Sequence, residues 1–105
     1  MELSIEERLK LAMIIPREGN IATIKIVREL REALSFTEEE HEAFDLVIKL
    51  EEGRVEWDRE KAVDVDIPLG PQAMKVIVEA LEKLNKDGKL TEQHISLYDK
   101  FIQTE

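Results

Sequence analysis

The stretch Leu46–Trp57, LVIKLEEGRVEW, decides the fold, and two readings of it compete. In one, a helix begun near Glu38 runs on through Leu50 to a C-terminal cap at Gly53. In the other, that helix ends near Asp45, and two strands, 46–51 and 54–58, turn at Glu52-Gly53. Leu46, Ile48 and Leu50 alternate with Val47, Lys49 and Glu51, and Arg54–Asp58 alternates likewise, which is the period of a strand. A two-residue turn with glycine second suits a hairpin. The hairpin is the preferred reading. A lone pair of strands is marginal in water, and Val63–Leu69, VDVDIPL, alternates strictly and offers a third strand over about 63–68, with Pro68 at an edge or an end. The expected sheet is a three-stranded antiparallel meander.

Helices flank it on both sides. Ser4 with Glu7 is a capping box, so a helix is expected over about 5–13, with Ile5, Leu9, Ala12 and Met13 on one face. Asn20 caps a second helix over 21–34, whose stripe is Ile24, Val27, Leu30 and Leu34. Thr37 with Glu40 is another capping box and opens a short acidic helix over 38–45. Pro71 stands at a first helical position. Met74, Ile77, Val78, Leu81 and Leu84 then mark a helix over 71–86, which Gly88 ends. Thr91 caps a last helix over about 92–102, carrying Ile95, Tyr98, Phe101 and Ile102. The fold class is α+β, with residues 1–105 forming a single small domain.

Composition narrows the function classes. The chain has no cysteine, which removes disulfide scaffolds and thiol chemistry. Its 43% hydrophobic and 37% charged residues describe a soluble globular chain. No apolar run approaches the ~20 residues of a membrane span. Glu2, Glu6 and Glu7 stand where a signal peptide would be basic, so the expected location is the cytoplasm. The net charge is −9, from 24 acidic and 15 basic residues. It is not evenly spread: residues 37–66 hold 12 acidic residues against 4 basic ones, and the remainder is nearly neutral. An acidic surface of this kind either docks on a basic protein or keeps the sheet soluble. The candidate protein-binding residues are Glu38, Glu39, Glu42, Glu52, Asp64 and Asp66.

Arg17, Lys25, Arg28 and Arg31 form a modest basic cluster and are the candidates for a nucleic-acid reading. The order of helices and hairpin invites comparison with a winged helix-turn-helix. Its groove-entering helix would here be Glu38-Glu39-Glu40-His41-Glu42, which phosphate repels. Nucleic acid is therefore disfavoured as a partner. His41 with Glu38 could start a metal site, but a solvated acidic helix start explains them better. His94 fits a packing or helix-start role. There is no phosphate loop, no nucleophile elbow and no HExxH. The expectation is a non-enzymatic chain without cofactor or metal, binding a protein and open to self-association. Trp57 is its one large aromatic anchor, in the core or at an interface.

Three stretches carry a resemblance: Pro16–Asn20 (PREGN), Leu34–His41 (LSFTEEEH) and Lys89–Phe101 (KLTEQHISLYDKF). The chain resembles small proteins of tailed bacteriophages and prophages whose role is unassigned. The resemblance implies a phage or prophage origin, a host-directed or assembly function, and the host cytoplasm as location.

Overall fold

The computed structural model describes residues 1–102, and the backbone alone of Leu50. It is α+β. The elements in chain order are β1 (Glu2–Leu3), α1 (Ile5–Ile14), α2 (Ile21–Leu34), α3 (Glu38–Ala43), β2 (Val47–Lys49), β3 (Arg54–Glu56), β4 (Val65–Asp66), α4 (Pro71–Lys86) and α5 (Ile95–Phe101). Short 3-10 turns at Leu50–Glu52 and Glu92–His94 precede β3 and α5.

The expected starts of α1, α2 and α3 are in place, whereas the last helix opens as a 3-10 turn over Glu92–His94 and becomes α-helical at Ile95. The Ser4 hydroxyl accepts from Glu7 N–H while Glu7 Oε1 accepts from Ser4 N–H, and Thr37 and Glu40 repeat the arrangement. Asn20 Oδ1 accepts from Thr23 N–H. The short helix α3 stops two residues earlier than expected because Asp45 adopts a left-handed φ of 51°. Leu46 N–H then donates back to His41 C=O at 2.9 Å, which closes the last turn. Gly88, at φ 67°, does the same for α4, with Lys89 N–H on Leu84 C=O.

The hairpin forms, but the three-stranded meander does not. Strands β2 and β3 pair antiparallel with Ile48 opposite Val55. Their loop is longer than the expected two residues, running from Leu50 to Gly53, and Gly53 supplies a φ of 66°. The third stretch shrinks to β4 and pairs with β1 at the N-terminus, Leu3 opposite Val65. The cause lies between the two stretches. Asp58 N–H donates to Phe44 C=O at 2.8 Å, and Asp58 C=O accepts from Lys61 and Ala62. That tight turn swings the chain away from the hairpin before Val63.

Two apolar clusters result. The larger joins Leu11 of α1 and Ile15 just after it to Val27, Leu30, Ile77, Leu81, Leu97 and Phe101 of α2, α4 and α5. The smaller, Ile5, Phe44 and Leu46, lies under the hairpin with Val55 and Trp57 against it, and Val65 touches both. Contrary to expectation, α1 does not bury the Leu9–Met13 side: Met13 is 67% exposed, while Arg8 is 2% exposed. On α5 the expected Phe101 is buried, but Ile95 is exposed and Leu97 is buried in its place.

Candidate functional site

Arg8 fixes the frame. Its Nε donates to Leu34 C=O at 3.2 Å and one terminal nitrogen to Ser35 C=O at 2.6 Å, so it covers the open carbonyl end of α2. The guanidinium also grips Glu40 with both terminal nitrogens and stacks 4.0 Å from the Phe36 ring centre. Arg8 holds the Glu40 carboxyl below the usual range, against the opposing effect of burial and with help from the Thr37 N–H. One buried cation thus locks α1, the end of α2 and the start of α3 together. Beside Arg8 in the first turn of α1, burial pushes the Glu7 carboxyl up, but Lys100 and the Ser4 N–H outweigh it and the net shift is downward. Lys100 Nζ donates to Glu7 Oε1 at 2.7 Å and to Glu2 C=O at 2.9 Å, tying α5 to α1. Among the described residues Glu7 Oε2 has no hydrogen-bond partner; Ser96 lowers the carboxyl's pKa without reaching bonding geometry.

Between α1 and the hairpin lies a groove of about 740 Å³. Leu9 and Met13 line one wall, Ile48, Val55 and Trp57 the other. Ile48 is 49% exposed, so both walls present aliphatic surface to water. Trp57 is half-buried, packed under the hairpin on one side and open to the groove on the other. Lys10, Arg17, Lys49 and Arg54 also line it, together with the carboxylates Glu6 and Glu7. Lys49 is neutralised by Glu56 at 2.8 Å and Arg54 by Glu52 at 2.8 Å. Among the described residues, Lys10 and Arg17 have no carboxylate within 4.0 Å. Lys10, Met13 and Lys49 are site residues that sequence reasoning misses, because Lys49 lies far along the chain from Lys10 and Met13 and no local pattern joins them.

The nominated acids are spread over the loops, the hairpin and α3. Glu38, Glu39 and Glu42 are exposed on α3 and enter no ion pair among the described residues. Glu52 faces Arg54 at the hairpin tip, Asp66 accepts from the Met1 amino group at 2.8 Å, and Asp64 is exposed. Of the basic candidates, Arg17, Arg28 and Arg31 share a shallow hollow of about 660 Å³ on α2 with Ile24 and Val27, and Lys25 stays outside it. His41 is half-buried, and His94 Nδ1 accepts from Thr91 N–H at 2.9 Å, which is a helix-start role. Among the described residues no three histidines or carboxylates converge as metal ligands, and no helix is long and apolar enough to cross a membrane. No protein-family model matches the chain, and no match was found among curated proteins or solved structures.

Proposed function

We propose that the chain is a non-enzymatic protein-binding module that seats a segment of a partner protein in the groove between α1 and the hairpin. The observation that carries this reading is the groove itself: aliphatic walls from Met13 and Ile48, a half-buried tryptophan, and a charged rim. An apolar centre with an aromatic anchor and a polar edge is the anatomy of a protein contact. Arg8 ties the α1 wall to α2 and α3, which limits the ordering that this wall must lose on binding. A random displayed-peptide library selected against the chain tests it. Binders should shift the emission of Trp57, the only tryptophan, and lose affinity when Met13 or Ile48 is changed to Glu. Both residues are exposed, so those variants keep their fold. Absence of binders, or binders indifferent to both changes, would sink the reading.

A second reading keeps the acidic α3 face as the contact for a basic partner. It is favoured by Glu38, Glu39 and Glu42, which are exposed and unpaired among the described residues. Reversing all three to Lys would abolish such binding and leave the groove binders untouched.

A further inference from the structure

Arg17 lines both the groove and the hollow on α2. The two concavities therefore meet at one side chain, and a segment leaving the groove past Arg17 runs onto Arg28 and Arg31. With 24 acidic residues against 15 basic ones, in-chain partners are plentiful for an exposed guanidinium. Arg54 and Arg59 have each found one. Arg17 and Arg28 have none among the described residues, and Arg31 reaches the Ala12 carbonyl at 3.1 Å instead of an acid. Ile24 and Val27 line the same hollow, and Glu32 stands at its side as the one carboxylate. A free guanidinium offers a planar fork of donors that matches a carboxylate with two parallel hydrogen bonds.

We infer that the partner segment is acidic and amphipathic: apolar anchors fill the groove, and a short run of Asp or Glu continues along Arg17, Arg28 and Arg31. This rests on the groove reading above and names its ligand class. A nucleic-acid strand carries the same sign of charge, but its affinity depends on neutralising many phosphates, and a chain at −9 repels a long polyanion. A short acidic segment brings few charges and is held by its apolar anchors.

The peptides recovered from the library decide it. Their sequences should place aliphatic or aromatic residues beside a run of Asp or Glu. Changing Arg17 and Arg28 together to Glu should weaken the best binder about tenfold or more, less so in high salt. The Trp57 shift at saturation should persist. Neutral or basic recovered sequences would overturn the inference while leaving the groove reading intact, as would unchanged affinity in the double variant. Recovery of no peptide that shifts Trp57 counts against the groove reading, and the inference falls with it. A fluorescent duplex oligonucleotide provides the last arm. Binding that the double variant loses and the peptide does not displace would assign the arginines to nucleic acid and overturn the inference.

Discussion

Arg8 is nearly sealed from water, yet every direction its guanidinium faces is occupied by a partner: two carbonyls, a carboxylate and an aromatic ring. Removing one side of such a pair leaves the other buried and uncompensated, which costs roughly 3–5 kcal/mol. Arg8→Ala should lose that much in urea unfolding, and Arg8→Lys should recover little, since an ammonium lacks the fork that spans Glu40 and Ser35. The same pair sets a pH dependence. The folded-state pKa of Glu40 lies below its ordinary value of 4.5, and so does that of Glu7. Their contribution is therefore complete above about pH 4.5 and is lost as pH falls through the lowered values. Glu40→Gln should be strongly destabilised near pH 7, and the gap to the parent chain should narrow as urea curves are taken towards about pH 3. The capping boxes at Ser4 and Thr37 could be read from the sequence because each needs two residue types at a fixed spacing. The role of Arg8 could not. It shares a helix stripe with Ile5, Leu11 and Ile15, but a search for apolar periodicity discards a cation and shifts the face to Leu9 and Met13.

At the scale of elements, helix ends carry the local specificity. Gly88 closes α4 at φ 67° with no neighbour within reach of an added Cβ, so Gly88→Ala isolates the cost of a left-handed backbone. That cost should be about 1 kcal/mol, read as a lower urea midpoint with an unchanged slope. The charge pattern of α3 supports a paired test. Glu38 sits in the first turn, where the helix dipole favours it, and Glu42 sits near the other end, where the dipole opposes it. Glu38→Lys and Glu42→Lys change the net charge equally, so any difference between them reports the dipole. Glu42→Lys should be the more stable by about 0.5–1 kcal/mol, and the difference should shrink in high salt. Helices α2 and α4 are legible because period and caps agree, α1 and α3 through their capping boxes, and the hairpin through its alternation. The third strand was misplaced because its alternation is genuine and says nothing about which strand it meets. Pairing was decided by the turn at Asp58, whose backbone bonds to Phe44, a contact that no local pattern encodes. The groove was missed for the same reason, since its two walls come from α1 and the hairpin, some 40 residues apart in the chain.

Over the whole molecule, the acid-rich segment supplies one wall of the groove, and α1 with its following turn supplies the other. Acids crowd the 37–66 segment, while among the described residues Lys10, Arg17 and Arg28 remain without an ion-pair partner beside the groove and the α2 hollow. The net −9 is confined to a body with extents of 35 × 30 × 29 Å. Spread over a sphere of that size, such a charge costs on the order of 3 kcal/mol more in the folded than in the expanded chain at about 0.05 M salt, and about half of that at about 0.5 M. Salt also weakens the exposed pairs Lys49–Glu56, Arg54–Glu52 and Lys61–Asp45, but such pairs are worth at most about 1 kcal/mol each and often nothing measurable. The buried Arg8–Glu40 pair is screened far less. Relief of self-repulsion therefore wins, and stability from urea unfolding should rise by about 1 kcal/mol across that salt range. A fall over the same range would mean that the surface pairs, and not the excess of acid, dominate the electrostatics of the fold. Peptide binding should move the other way. On the proposed acidic segment, carboxylates would meet Arg17 and Arg28 at the exposed surface, so the salt that stabilises the chain should weaken its hold on such a partner. Opposite salt responses of folding and binding, measured on the same protein in the same buffers, would separate the acidic segment's role in stability from the arginines' role in recognition.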